Sequence, residues 1–223
     1  SEAGIMQIDL NGKIILVTGG TGALGRAIVG KALREKARVY FTYHQNAAAA
    51  GRLIAEGAKG FRLDLKKRED FSGLKECLKK EIAKLDGLVL NAAMVRDRTI
   101  ANLSEEEFDE VVRADLTGPF FLVQKMLPLL YRSERGKVVA IASRVGMQGG
   151  FGEANYAAAK GGLVSFVKTL AAETGRKGIS ANAVAPGFMI SGMTRNLPEA
   201  VREKIGKKAF WAVFRSRKKS RIL

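Results

Sequence analysis

Cysteine, histidine and tryptophan each occur once, as Cys77, His44 and Trp211, and proline four times in 223 residues. One cysteine excludes an internal disulfide and fits a reducing compartment; Cys77 reads as a small apolar helix residue rather than a reactive thiol. One histidine without neighbouring ligands excludes a histidine-rich metal centre, so no metal is expected. No apolar run approaches the ~20 residues that a membrane-spanning helix needs. The opening residues lack the basic-then-apolar order of a secretory signal. No membrane association is expected, and a cytoplasmic location is.

Acidic residues are also in short supply, 22 against 38 basic, for a net charge of +16. Such a surplus invites a nucleic-acid reading, but no basic stretch is interleaved with aromatics. Seven of the basic residues fall between Lys207 and Leu223, a stretch with no acidic residue. Without it, 31 basic residues face 22 acidic. No nucleic-acid partner is expected; the remainder suits an acidic carrier protein, a phosphorylated cofactor or an ordinary basic surface.

What the chain has is alternation. Lys13–Thr18, Arg38–Tyr43, Gly60–Leu63, Gly87–Leu90, Lys137–Ala142 and Ser180–Val184 are short, apolar and β-branched, the pattern of strands covered on both faces. Between them Leu24–Lys36, Ala47–Glu56, Arg68–Lys84, Glu105–Arg132 and Asn155–Thr174 read as helices, with Ser104 and Glu107 forming a capping box. Strict β–α alternation predicts one α/β domain, a doubly wound, Rossmann-like parallel sheet with right-handed crossovers, over residues 1–206. Residues 207–223 are expected to form an atypical basic tail.

The first strand runs into Gly19-Gly20-Thr21-Gly22-Ala23-Leu24-Gly25 and then a helix. Read as G-x-G-x-x-G, the glycines are Gly20, Gly22 and Gly25. Glycines let the backbone turn sharply and approach a pyrophosphate, and the helix N-terminus adds unpaired N–H groups and partial positive charge. Gly19, Thr21, Gly22, Leu24 and Gly25 are therefore candidate cofactor contacts. NAD-preferring folds place a carboxylate at the end of the second strand; here that end reads Thr42-Tyr43-His44-Gln45-Asn46. NADP(H) is favoured, with His44 as a loop residue near its 2′-phosphate.

Tyr156-Ala157-Ala158-Ala159-Lys160 lies in a helical segment, so Tyr156 and Lys160 share a face. An ordinary phenol titrates near 10 and a nearby ammonium lowers that value, which makes the pair a reasonable acid/base couple or, on spacing alone, a surface pair. Ser143 follows the fifth strand, at the carboxyl edge where such sheets bind ligands. The glycine-rich stretch from Gly146 to Gly152 reads as a loop able to fold over a substrate.

Together these motifs resemble the short-chain dehydrogenase/reductases, the 3-oxoacyl-(acyl-carrier-protein) reductases most of all. Asp64-Leu65, Asn91-Ala92, Met94-Val95-Arg96-Asp97 and Asn182-Ala183-Val184-Ala185-Pro186-Gly187 extend the likeness from Gly12 to about Met193. The resemblance implies NADPH-dependent reduction of a carbonyl to an alcohol, with a 3-oxoacyl thioester on acyl carrier protein as substrate. Another ketone or alcohol, or a weakly active NADP-binding protein, is the alternative. It implies that Tyr156 is the general acid, that Lys160 binds the nicotinamide ribose and lowers the Tyr156 pKa, and that Ser143 orients the carbonyl. Asp64 and Leu65 contact adenine, Asn91, Ala92 and Ala93 line the cofactor, and Pro186, Gly187, Met189 and Ser191 flank the nicotinamide. It also implies a homo-oligomer, tetramer or dimer, packed through the two long helices.

The chain departs from that pattern at four places. A loop glycine is Ala23, and the Asn-Asn-Ala-Gly signature reads Leu90-Asn91-Ala92-Ala93. The family's fourth catalytic residue, an asparagine, is Asp115. After about Lys204 the likeness ends; the tail is expected to lack the family's last strand, as a truncated or frame-shifted ending would.

Overall fold

The computed structural model describes residues 9–187, and of residues 211–215 the backbone. Six parallel strands, β1 (Ile14–Val17), β2 (Arg38–Tyr43), β3 (Lys59–Arg62), β4 (Gly87–Leu90), β5 (Lys137–Ile141) and β6 (Ser180–Pro186), stand in the order β3-β2-β1-β4-β5-β6. They are linked by α1 (Ala23–Arg34), α2 (Ala47–Ala55), α3 (Arg68–Glu81), α4 (Glu105–Val112), α5 (Gly118–Leu130), α6 (Val145–Gln148) and α7 (Ala154–Thr174). This is the doubly wound sheet expected from the alternation. Among the described residues no helix is long and apolar enough to cross a membrane.

Adjacent strand residues point to opposite faces, and both faces are apolar. Leu16, Tyr40, Leu88 and Val138 pack with Phe71, Leu74 and Leu78 of α3, Leu122 and Met126 of α5, and Leu163 and Val167 of α7. Their neighbours Val17, Val39 and Phe41 turn the other way, onto Val29 and Ala32 of α1 and Ala50 and Leu53 of α2. Two cores back to back explain why the strands read as unbroken apolar runs.

The stretch expected as one helix over Glu105–Arg132 is instead three pieces, with a π-helical turn at Arg113–Thr117 between α4 and α5. Its chemistry is local. Pro119 has no N–H, so an α-helical bond from it to the Asp115 carbonyl cannot form, and the Gly118 N–H reaches back five residues to the Arg113 carbonyl. Gly118 also lies against the Leu65 carbonyl, where a Cβ would stand 2.4 Å away. The turn buries both Ala114 and Asp115. The capping box forms as expected, Ser104 Oγ accepting from Glu107 N at 3.1 Å and Glu107 Oε2 from Ser104 N at 3.4 Å. The stretch read as a loop after Ser143 contains the short helix α6, which Gly146 holds against α7: a Cβ there would lie 2.6 Å from Gly161 N.

Among the described residues the parallel strands end at β6, and the strand beside it comes from the tail and runs the opposite way. A seventh strand, β7 (Trp211–Arg215), pairs antiparallel with β6 along Asn182–Pro186. Trp-Ala-Val-Phe has the aromatic and β-branched content that suits a strand, and the free edge of β6 offers unpaired backbone groups for it to satisfy.

At the other end of the strands Asp86 ties the sheet together. Its Oδ2 accepts from Ile14 N at 3.0 Å and its Oδ1 from Ser133 Oγ at 2.7 Å, with Lys84 Nζ at 3.2 Å from Oδ1. Burial pushes this carboxyl up, but those three donors outweigh it and hold the pKa below the ordinary value. Replacing Asp86 by alanine strands the Ile14 N–H and the Ser133 hydroxyl, so Asp86→Ala is expected to lower unfolding free energy by about 2–3 kcal/mol in urea titrations at pH 7. A carboxyl with a depressed folded pKa contributes stability above its unfolded value and loses it as pH falls through the folded one. The difference between wild type and variant therefore shrinks below about pH 4.

Candidate active site

Thr18 closes β1 and knots it to the end of β4. Its hydroxyl accepts from Asn91 N at 2.9 Å and Ala92 N at 3.0 Å, while Asn91 Nδ2 donates to the carbonyls of Thr18 and Gly19 at 3.0 and 3.1 Å. Gly19 has φ +65°, and a Cβ on Gly25 would sit 2.1 Å from the Gly19 carbonyl oxygen, so the turn closes only with glycine there. α1 then starts at an exposed N-cap, Gly22, with no side-chain cap and no acidic residue in its first turn. Open N–H groups and an uncompensated helix N-terminus suit an anion. Thr21 and Leu24 are half-buried beside it, and Arg26, which the sequence reading passed over, donates from Nη1 to the Thr21 carbonyl at 3.0 Å.

The ends of β2 and β3 bring His44 and Asp64 together, with His44 Nε2 3.6 Å from Asp64 Oδ2. Asp64 also caps its own loop by accepting from Lys66 N at 2.9 Å, and Arg62 Nε donates to the His44 carbonyl at 3.3 Å. Leu65 is half-buried with its carbonyl against Gly118. Ala92 is half-buried and Ala93 exposed at the end of β4; Pro186 is buried, accepts from Arg144 N at 3.2 Å, and leads to half-buried Gly187. Met189 and Ser191 lie outside the described residues.

Beyond the carboxyl edge of β5, four candidate residues from three elements converge. Ser143 follows β5, and its hydroxyl faces the phenol of Tyr156 on the first turn of α7, where it favours the phenolate. One turn on, Lys160 extends beneath the tyrosine, its Nζ 5.5 Å from the ring centroid. The ammonium is sealed off, with 2% of the side chain exposed; it donates to the Ile141 carbonyl at 3.2 Å and lies 3.1 Å from Asp115 Oδ2. That carboxylate is fully buried; its Oδ1 accepts from Met94 N at 2.8 Å, while Oδ2 receives no aligned hydrogen bond and faces the ammonium off-axis. Asn155, fully buried, steadies the start of α7 by donating to the Arg96 carbonyl at 3.0 Å and accepting from Tyr156 N at 2.7 Å.

Burial pushes the Tyr156 phenol up to about 12; the Asp115 carboxylate adds to the rise, and the Ser143 hydroxyl only partly offsets it. The sequence expectation was the reverse, a phenol lowered by Lys160. The reason for the reversal is first the burial of the phenol and then the Asp115 carboxylate, which lies 3.1 Å from the Lys160 ammonium. Met94 falls in a motif of the resemblance but was given no role there, and Ile141 and Asn155 carry no motif signal; Met94 and Ile141 act through backbone atoms, which no motif displays.

A cavity of about 350 Å³ opens elsewhere, between α3 and the π turn, lined by Leu65, Arg68, Phe71, Arg113 and Phe121 among others. Ser143, Tyr156 and Lys160 do not line it, so convergence of chemistry, not volume, locates the candidate site.

A family model described as "short chain dehydrogenase" matches residues 13–202. The chain is 34% identical over 200 residues to the 3-oxoacyl-(acyl-carrier-protein) reductase FabG of Escherichia coli strain K12, covering 89% of this chain and 82% of that protein. The corresponding reductase of Aquifex aeolicus is 35% identical over 205 residues, covering 89% and 83%. Among solved structures, the "Pseudomonas aeruginosa RhlG/NADP active-site complex" superposes with a TM-score of 0.81 at 31% identity, covering 88% of this chain and 81% of that one.

The glycine turn yields a direct test. In Gly25→Ala the new methyl meets the Gly19 carbonyl and the Gly20 Cα, 2.9 Å away, and nothing there is flexible. Dinucleotide binding, followed by fluorescence titration, is expected to fall below detection, with a stability loss of about 1–3 kcal/mol. Gly51→Ala, in α2 with open space around it, is the control and is expected to bind normally and gain about 0.5–1 kcal/mol.

Proposed function

The chain belongs to the short-chain dehydrogenase family, and on that premise we propose that it is an NADPH-dependent reductase of carbonyls, acting on a 3-oxoacyl thioester held by acyl carrier protein. The observation that carries the reading is the meeting of Ser143, Tyr156 and Lys160 at the carboxyl edge of the sheet, together with a glycine turn that leaves no space for a Cβ on Gly25 and opens into an uncapped helix. The residues present fit a dinucleotide: α1 begins uncapped beside Arg26, and the end of β2 carries no carboxylate against a 2′-phosphate, with His44 and Arg62 there.

When bound, NADPH supplies the hydride. The chain's own residues do the rest. Thr21, Gly22 and the first turn of α1 would hold the pyrophosphate, Asp64 and Leu65 would border the adenine, and Asn91, Ala92, Ala93, Pro186 and Gly187 would border the ribose and nicotinamide. Ser143 donates a hydrogen bond to the substrate carbonyl oxygen and fixes its direction. Tyr156 gives the same oxygen its proton as the carbon is reduced. Lys160, anchored to Ile141 and Asp115, lies beneath the ring with its Nζ 5.5 Å from the centroid.

A substrate on an acyl carrier protein fits the basic surface, whose cations fall at both edges of the sheet. Arg132, Arg135, Arg176 and Lys177 precede β5 and β6, where Ser180 N bonds the Gly136 carbonyl and Lys177 lies over Tyr131. They sit at the amino edge, roughly 20 Å of strand away from Ser143. Arg96, Arg98 and Arg144 border the mouth instead, where Arg98 N bonds the Gly152 carbonyl at 2.8 Å. We assign carrier docking to these three. Exposed Phe120 of α5, edge-on to Phe166 of α7 at 5.4 Å, gives those helices a shared apolar face for homo-oligomer packing, and a cytoplasmic location accords with this chemistry.

The test is NADPH oxidation followed by absorbance with an acetoacetyl thioester. Turnover is expected, and Tyr156→Phe is expected to lower kcat/KM by about 10²–10⁴ while leaving NADPH binding intact. Tight NADPH binding with no turnover of any carbonyl in a broad panel would sink the proposal.

A further inference from the structure

Burying an ammonium is costly unless an opposite charge and hydrogen bonds accompany it. Around Lys160 the only buried carboxylate described is Asp115, at 3.1 Å. Where the resemblance leads one to expect a neutral asparagine, this chain has a carboxyl group within reach of the ammonium. An amide would leave the lysine charge free to act on Tyr156; a carboxylate neutralises it at close range. The π turn and the Met94 N–H hold the carboxylate in place, so the pairing is built into the backbone and not a chance of rotamers.

We propose that Asp115 is a positioning residue that takes up the Lys160 ammonium in a buried ion pair and thereby keeps Tyr156 in its proton-bearing form through neutral and mildly alkaline pH. The pair sets the pH at which the site changes from giving a proton to taking one. This inference rests on the reading of Tyr156 as the proton donor.

The other charges facing the phenol act in the same direction. Asp97, in the segment after β4, and Glu153, just before α7, both favour the protonated ring, while Arg144 faces Glu153 and, among the described residues, Ser143 favours the phenolate. Burial leads the causes that push the Asp115 carboxyl itself above its usual range, with Lys160 and the Met94 N–H pulling back.

Because reduction needs the phenol and alcohol oxidation the phenolate, both pH profiles follow the same ionisation. Reduction should stay flat past the ordinary tyrosine pKa of about 10, and oxidation should climb tenfold per unit without levelling off below it. Ultraviolet titration of phenolate, differenced against Tyr156→Phe to remove the other three tyrosines, reads the group directly and needs neither substrate nor turnover. The wild-type midpoint is expected above about 10. In Asp115→Asn, which keeps the size and the acceptor for Met94, it is expected to fall by about one unit or more, with the oxidation and reduction profiles moving by the same interval.

A wild-type Tyr156 midpoint in the neutral range overturns the proposal without recourse to any variant. So does an Asp115→Asn protein whose titration coincides with wild type, or one that no longer melts cooperatively or binds dinucleotide, because the carboxylate then serves the fold alone. A chain that shows the shifted titration but reduces no thioester keeps this inference and loses the proposed substrate.

Discussion

A lysine ammonium closed off from water beneath the carboxyl edge of the sheet is the constraint to which the surrounding structure answers. Left alone, such a charge would cost several kcal/mol. Three elements contribute to offsetting that: β5 supplies the Ile141 carbonyl, the π turn supplies the Asp115 carboxylate, and the segment after β4 supplies the Met94 N–H that holds the carboxylate. None of these elements neighbours Lys160 in sequence. The doubly wound topology brings them together because successive parallel strands end on the same side, and the residues following each end meet there.

The same constraint explains the break in the long helix. A π turn inserts one extra residue per bond and is tolerated mostly where function requires it. Here it coincides with Asp115, between a glycine pressed on the Leu65 carbonyl and a proline that cannot continue the α ladder. Geometry that looks like a defect in α4–α5 is what presents a buried carboxylate to α7. Tyr156 inherits the consequence, since its neighbouring charge is paired and its own burial dominates.

Cofactor and catalytic halves are also coupled mechanically. Thr18 and Asn91 lock the glycine turn to the end of β4, and the chain that leaves β4 goes on to provide Met94 for Asp115, Arg96 for Asn155 and Arg98 for the Gly152 carbonyl. One segment thus touches the turn that would hold pyrophosphate, the Lys160 partner and the loop over the substrate side. Rigid placement of this kind is what hydride transfer requires of a protein.

Much of this was legible in the linear chain. Strand and helix alternation, the glycine turn, the Ser104–Glu107 cap and the one-turn spacing of Tyr156 and Lys160 are local, because periodicity, backbone permissiveness and helical pitch act over a few residues. What only the tertiary structure decided is non-local or made by backbone atoms. The pairing of Trp211–Arg215 with β6 depends on an open sheet edge, and the placement of Arg132 and Lys177 opposite Ser143 depends on strand direction. The ionisation of Tyr156 follows from burial and from a carboxylate 41 positions earlier in the chain. Sequence named the groups that titrate; packing determined which of them share a water-free space, and in such a space electrostatics is set by neighbours rather than by residue type.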